Sequence, residues 1–261
     1  MLCFSRRSLS FLALGFAQLT CAAQQSYPPA KATTAPVASV SPPLRPISPE
    51  LHGDIMMAEK RYLKAIEWYQ MGDTQSALLA NKIGIAYHQM HLLALAKKNY
   101  QRAIKLNPQY ADAINNLGTI YYSEKRYRQA TNYYRRAMRC SPRPSATIAA
   151  NIGSAYFARK KYGDAAEWYE KAVRLDPDIF ERHSSAGTIM RERTIEERAL
   201  FHLSLAKTYA KYGINDRALA YLRLALNEGL KNPSKIPGMP EFAGLRKDLR
   251  FQQMMALQNG S

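Results

Sequence analysis

Cysteine is scarce in this chain of 261 residues, which contains only three. Two of them, Cys3 and Cys21, lie in a leader that is predicted below to be removed on export. Cys140 would then have no internal partner, which excludes a fold stabilised by disulfides. We therefore expect side-chain packing to stabilise this protein.

Motifs of catalysis and cofactor binding are also missing. The sequence has no glycine-rich phosphate loop before a helix pattern and no strand-turn-helix nucleophile motif. His88 and His91 are three residues apart, but no cysteine or acidic pair completes a metal-ligand set, and the other histidines are scattered. We predict no catalytic residue, no cofactor, no metal and no small-molecule substrate, and hence a protein that is not an enzyme.

Acidic residues are absent before Glu50, and the same segment contains one short apolar run. Arg6 and Arg7 precede this run from Leu9 to Leu19, and small residues near Ala23 offer a cleavage site. The run is too short to span a bilayer. We therefore predict an export signal over residues 1–23 and a periplasmic or secreted protein.

Cys21 leaves a second interpretation of this leader open. Lipoprotein signals end at a cysteine that is lipidated, but they carry leucine three residues earlier and glycine or alanine just before it. This chain has Gln18 and Thr20 at those places. Cleavage near Ala23 is therefore the preferred prediction, and lipid anchoring through Cys21 is the alternative.

The segment 24–49 is rich in proline and alanine and carries almost no charge. Half of the chain's 14 prolines fall within it. Such a composition cannot bury a core and favours extended polyproline conformations. We predict a disordered tether that holds the rest of the protein away from its point of attachment.

Positive charge is in large excess, with 37 Lys and Arg residues against 20 Asp and Glu residues. The formal net charge is +17. A strongly basic protein attracts anionic partners. An acidic polymer or a membrane surface is therefore one candidate partner, whereas nucleic acid is disfavoured for an exported protein.

One pattern of six positions recurs in three consecutive segments at a step of about 34 residues. The second and third copies start at Gly118 and Gly153. In the first copy, the six positions are Gly84, Tyr87, Ala96, Tyr100, Ala103 and Pro108. Residues three or four apart share one helix face, so each copy predicts a pair of packed helices followed by a proline that ends the second helix.

This template resembles the tetratricopeptide repeat family. The resemblance implies an all-α, right-handed solenoid of helix-turn-helix repeats. A shortened copy at Gly53 and a degenerate copy around Leu205 bring the predicted number to five, over residues 50–232. An insert at 180–193 interrupts the period before Thr194 and Glu197 form a capping box. Apolar residues in 233–261, from Phe242 to Met255 and including Leu249, predict a C-terminal capping helix.

Family members bind ligands in a concave groove lined by the first helix of each repeat. The resemblance places nine candidate contact residues there: Asn81, Lys82, Asn115, Asn116, Thr119, Tyr122, Asn151, Ser154 and Phe157. We call these the groove residues. Side-chain amides offer both donors and an acceptor, so a row of asparagines suits an extended peptide backbone. Alternatively, these asparagines belong to the repeat consensus and are merely solvated.

The best-known ligand mode of the family, a clamp on a terminal carboxylate, uses a lysine and an asparagine of one first helix. This chain has Asn81 and Ile85 at those places. We therefore predict that a peptide is held along its backbone rather than by its end.

A second candidate surface consists of basic pairs that lie five and four residues before the first alanine of the repeat template in three second helices. These residues, the basic ridge, are Lys60, Arg61, Lys125, Arg126, Lys160 and Lys161. Stacked repeats would align the pairs along one edge. The ridge either binds an acidic polymer or membrane surface, or is a solvated face that keeps the protein soluble.

The sequence therefore predicts a non-enzymatic scaffold or adaptor of the cell envelope. Its predicted partner is a protein or an extended peptide, bound in the groove. Electrostatic binding of an acidic polymer or a membrane through the basic ridge is the alternative.

Overall fold

The computed structural model describes residues 47–182 and 194–259. These residues form helices and turns without a strand. The predicted export signal, the tether before residue 47 and residues 183–193 of the predicted insert lie outside the described residues.

The described part of the chain forms five helical hairpins, one for each predicted repeat. The pairs are α1 (Pro49–Ala58) with α2 (Tyr62–Gln70), α3 (Ala77–Gln89) with α4 (Leu93–Leu106), α5 (Ala111–Ser123) with α6 (Tyr127–Cys140), α7 (Ala146–Ala158) with α8 (Tyr162–Leu175), and α10 (Ile195–Lys211) with α11 (Asn215–Asn227). A short helix, α9 (Ile179–Arg182), follows the fourth pair. Each hairpin also packs against the next, and this confirms the predicted all-α solenoid.

Two boundaries differ from the sequence-based prediction. Helix α1 begins at Pro49, and Ser48 caps it by accepting a hydrogen bond from the backbone N–H of Leu51 at 3.2 Å. The end of the predicted tether is therefore helical, because proline fits the first turn of a helix. The insert was predicted to start at residue 180, but helix α9 extends across this position to Arg182.

Serine and threonine caps start most of the first helices. Ser76 caps α3, Ser145 caps α7, and Thr194 with Glu197 forms the predicted capping box of α10. The second helices follow tight turns and have no side-chain cap. In the third hairpin, Lys125 takes the left-handed conformation with φ 58°, and the N–H of the next residue returns to a carbonyl of the first helix.

A tyrosine ring lies against a glycine in each of the first four hairpins. The pairs are Gly53 with Tyr69, Gly84 with Tyr100, Gly118 with Tyr134, and Gly153 with Tyr169. All four tyrosines are buried. The glycine thus makes room for the ring of the second helix, rather than mainly for the approach of two backbones. In the fifth hairpin, Ala206 and Leu222 occupy these positions and are fully buried.

The segment after α11 covers part of the last hairpin. It consists of two 3-10 helices, Pro233–Gly238 and Pro240–Leu245, and of α12 (Leu249–Asn259). Ile236, Phe242 and Leu245 are buried, and the second 3-10 helix packs on α10. Leu249 was predicted to join this apolar face, but it is 72% exposed at the first position of α12.

We predict that Gly118→Ala destabilises the protein by about 1–2 kcal/mol. An added Cβ would lie 2.7 Å from the buried Tyr134 ring, and this overpacking outweighs the better helix propensity of alanine. Gly163 of α8 has no neighbour within 4 Å of an added Cβ, so Gly163→Ala should be neutral or stabilising by up to about 1 kcal/mol. Urea denaturation of both variants measures the difference, and equal midpoints would contradict the assigned crossing.

Candidate functional site

The nine groove residues lie on the first helices α3, α5 and α7, but at different depths. Lys82, Asn115, Asn116, Thr119, Tyr122 and Asn151 are half-buried and reach the surface. Asn81 is 3% exposed, Ser154 3% and Phe157 4%. Burial removes these three from the predicted contact surface, and for them the prediction of direct partner contact is wrong.

Ser154 and Phe157 instead belong to the interior of the array. Ser154 accepts a hydrogen bond of 3.5 Å from the Tyr169 hydroxyl. The Phe157 ring packs edge to face against Tyr162 and Phe201, with ring centroids 5.0 and 5.7 Å apart. These contacts tie α7 to its own second helix and to the next hairpin.

Asparagine side chains join neighbouring first helices through hydrogen bonds. The Nδ2 of Asn116 donates to the Oδ1 of Asn81 at 3.0 Å, and the Nδ2 of Asn151 donates to the Oδ1 of Asn115 at 3.0 Å. We call these two amide pairs the amide ladder, and it links α3 to α5 and α5 to α7.

An ionic cluster continues the ladder into the first hairpin. The Nζ of Lys82 lies 2.7 Å from Glu50 Oε1 and 2.7 Å from Asp54 Oδ2. The hydroxyl of Tyr69 donates to Asp54 at 2.7 Å. Lys82 is therefore a half-buried link between α3 and α1.

Hydrogen bonds and neighbouring charges within this cluster shift the pKa values of Asp54 and Tyr69. Burial alone would raise the pKa of Asp54, but hydrogen bonds from Lys82 and Tyr69 and the charge of Lys82 hold it below the usual 3.8. Burial raises the pKa of the Tyr69 phenol, and the adjacent Asp54 carboxylate raises it further. Glu50 and Asp54 were not predicted as site residues, although Glu50 stands three residues before Gly53 as Asn81 does before Gly84. This shared offset is the feature of the sequence that could have identified Glu50 as a site residue.

The half-buried Thr119 and Tyr122 lie on α5, about one and two turns after the asparagines that form the two rungs of the amide ladder. Thr119 donates to the carbonyl of Asn115 and accepts from the Tyr134 hydroxyl, each at 3.3 Å. The Tyr122 ring meets the edge of Tyr127 at a centroid distance of 5.2 Å. Both side chains are thus held in place while part of each reaches solvent.

The six residues of the basic ridge are all exposed and lie at the turns between first and second helices. In the second hairpin, His91 and Leu92 replace the basic pair and interrupt the ridge. At the third and fourth hairpins, Arg128 and Arg159 join Lys125, Arg126 and Lys161 around a cleft of about 570 Å³. We call it the turn cleft. Arg128 and Arg159 were not predicted, and only their closeness in sequence to ridge residues pointed to them.

His88 at the end of α3 and His91 in the following turn do not form a metal site. His88 is half-buried with its Nδ1 3.4 Å from the Tyr100 hydroxyl, and burial followed by the charge of His91 lowers the pKa of His88. Within residues 47–182 and 194–259, no group of three or more potential metal ligands comes together. The helices of these same ranges include none that is long and apolar enough to cross a membrane.

Three family models match the chain, and all of them describe the same repeat. A TPR repeat model covers residues 93–124, and two tetratricopeptide repeat models cover residues 111–141 and 147–179. The matched ranges fall on the region from the start of α4 to Ile179, which contains the second and third copies of the sequence template and the second helix of the first copy.

Known proteins share the repeat with this chain over short stretches. "Tetratricopeptide repeat protein 6" of Homo sapiens is 36% identical over 69 residues, which are 26% of this chain and 13% of that protein. "Uncharacterized protein ycf37" of Pyropia yezoensis is 36% identical over 58 residues, 22% of this chain and 33% of that protein. The chain thus spans a third or less of the length of these relatives. A crystal structure of MamA is 20% identical, with a TM-score of 0.47 over 67% of this chain and 93% of that one.

We predict that Asn116→Ala destabilises the protein by about 1–2 kcal/mol, because it leaves the buried Oδ1 of Asn81 without this donor. Asn151→Ala is the matched control, since its acceptor Asn115 is half-buried and can turn to water. Its cost should be no more than about half as large. Chemical denaturation tests this order, and equal losses would contradict the assigned difference in depth.

We predict that Lys82→Met lowers the free energy of unfolding at pH 7, because it removes the ion pairs with Glu50 and Asp54. The loss should be at most about 1 kcal/mol, since both carboxylates are over two-fifths exposed and their charges are therefore screened. The pKa of Asp54 is depressed in the folded state, so its contribution is present above pH 3.8 and is lost as the pH falls through the folded value. The wild type and the variant should therefore converge in acid. Lys64→Met, which breaks an exposed pair with Glu67, is the control with a smaller effect. A difference between wild type and Lys82→Met that grows below pH 3.8 would contradict the pairing.

Proposed function

Because the chain carries tetratricopeptide repeats, we propose that it is a non-enzymatic scaffold that binds a protein or an extended peptide along its first helices. Repeats of this kind generally serve protein interaction and are generally non-catalytic. The proposal adds a binding face to that general role.

The observation that carries this proposal is the row of half-buried polar and aromatic side chains across adjacent first helices. Helix α5 contacts both α3 and α7, so the three helices form one continuous face. Asn115, Thr119 and Tyr122 lie at its centre on α5. A ligand segment laid across the three helices would meet all of these groups.

The amide ladder prepares this face for binding a peptide backbone. A side-chain amide carries two N–H donors and a carbonyl with two lone pairs. The ladder uses one donor of Asn116 and one of Asn151, so each keeps hydrogen-bonding capacity for a ligand. Because the ladder also fixes the amide orientations, binding loses less side-chain entropy than it would with mobile asparagines.

The same face supports recognition along a peptide rather than at its end. Asn81 and Ile85 occupy the places where the family's carboxylate clamp has lysine and asparagine, and Asn81 is buried. Lys82 is already shared between two carboxylates. A terminal carboxylate would thus have to compete with Glu50 and Asp54 for the one lysine of this face.

We further propose that the scaffold works outside the cytoplasm, in the cell envelope. The support is the leader of residues 1–23, with Arg6 and Arg7 before its apolar run. Release by cleavage near Ala23 is the preferred form, and lipid anchoring at Cys21 is the alternative. The mass of the mature N-terminus distinguishes the two.

Site-specific photo-crosslinking in the producing cells tests the binding face. A photoreactive phenylalanine replaces Tyr122 on α5 or, as the control, Asn132, which is exposed on α6. We expect a discrete adduct from position 122 and none from position 132. Adding Ala150→Arg should abolish the adduct, because a long side chain at this half-buried position of α7 blocks the face.

The variant Asn132→Arg serves as the matched control for bulk and charge, and it should leave the adduct at position 122 unchanged. Adducts of equal intensity from both positions would contradict the proposal. An adduct at position 122 that survives Ala150→Arg would contradict it as well.

A further inference from the structure

The turn cleft gathers positive charge from two hairpins. Lys125, Arg126 and Arg128 come from the turn before α6 and from its first residues, and Arg159 and Lys161 come from the turn before α8. These five cations surround a recess of about 570 Å³. That size matches pockets for small ligands or for a few side chains of a peptide.

Few of these cations are neutralised within the protein. Arg126 pairs with Glu124 at 3.2 Å, and Lys161 approaches Asp164 at 3.7 Å. Both pairs are exposed and therefore weak. For Lys125, Arg128 and Arg159, the part of the chain that the structure describes supplies no carboxylate within ion-pair distance. The cleft thus has unbalanced positive charge directed at its recess.

Aromatic rings hold two of the arginines in place. The guanidinium of Arg126 lies 4.9 Å from the centroid of the Tyr121 ring, and that of Arg159 lies 5.4 Å from the centroid of the Tyr156 ring. Cation–π contacts of this kind restrict the arginine side chains without using their hydrogen-bond donors on an acid. Arg159 therefore keeps its donors for an anionic ligand, and Arg126 gives one donor to Glu124 and keeps the others. For both side chains, part of the ordering cost is already met.

We propose that the turn cleft binds an acidic segment of a protein chain, whose aspartate or glutamate carboxylates are held by Arg126, Arg128 and Arg159. The arginine fork matches a carboxylate in two parallel hydrogen bonds. This site lies at the turns between helices, apart from the face of the first helices, and it does not depend on the function proposed above.

The extent of the positive charge favours a short chain segment over the other anionic partners. A membrane surface would engage a long row of basic turns, but His91 and Leu92 interrupt that row at the second hairpin, and the charge gathers at the two turns around the cleft. Binding of single-stranded nucleic acid usually needs open aromatic faces for base stacking. The Tyr127 ring in the cleft lies against Tyr122, at a centroid distance of 5.2 Å, and Gln129 is the other non-cationic lining residue.

Fluorescence anisotropy of the full chain with a labelled Glu-rich peptide tests the proposal, with a Gln-substituted peptide of equal length as the probe control. We expect the Glu-rich peptide to bind and the Gln peptide not to. Arg128→Glu with Arg159→Glu should weaken binding roughly tenfold or more, because each change replaces an attraction by a repulsion. Arg143→Glu with Arg223→Glu makes the same change of net charge at exposed sites outside the cleft, and it should weaken binding less than about threefold.

A milder pair, Lys125→Gln with Arg128→Gln, keeps the test valid if the charge reversals unfold the protein, as circular dichroism would reveal. It should weaken binding by several fold. Equal losses in the cleft pair and the distant pair would overturn the proposal, because they would assign binding to the overall charge.

Competition separates the remaining anionic ligands. Unlabelled Glu-rich peptide should displace the probe, whereas inorganic phosphate at equal ionic strength and vesicles of anionic phospholipid should not. Displacement by phosphate would make the cleft a phosphate site, and displacement by vesicles would make it a membrane contact. Either result, or absence of peptide binding, would overturn the proposal.

Discussion

The contact between a tyrosine ring and a bare glycine backbone determines how each of the first four hairpins closes. A side chain at Gly84 or Gly118 would overlap the buried ring of Tyr100 or Tyr134. The ring therefore fixes the crossing of the two helices. Because the same contact recurs in the first four hairpins, the positions just before each glycine come to lie beside those of the next hairpin. One surface of first helices results.

Polar links across that surface change character along the stack. Between the first two hairpins the link is ionic, through Lys82, Glu50 and Asp54, and between the next hairpins it consists of the amide ladder. Neutral amides are less costly to bury than charges and keep spare donors and acceptors. The ladder stops after the fourth hairpin, where Ala150 stands at the offset that Asn115 occupies in the third. The centre of the stack is therefore where hydrogen-bonded amides also keep spare donors and acceptors.

Sequence periodicity predicted the helices, their pairing and the five hairpins, because glycine, alanine and proline impose steric requirements at fixed offsets. It did not predict how deeply each groove residue is buried. Asn81 and Asn115 stand at the same offset from their glycines, yet Asn81 is buried beside Tyr110 and Asn115 is not. Nor did it predict the turn cleft, since Arg128 and Arg159 converge only through the stacking of two hairpins. Such convergence depends on three-dimensional packing and leaves no local pattern.

Native-state hydrogen exchange tests most directly whether each hairpin is held by its neighbours. We expect the amides of α5 to α8, which have packed hairpins on both sides, to exchange most slowly. Amides of α1 and α2 should exchange fastest, and those of α10 should be protected by the 3-10 helix that covers it. Exchange in α1 and α2 as slow as that in α5 and α6 would contradict the stacking of hairpins as the source of stability.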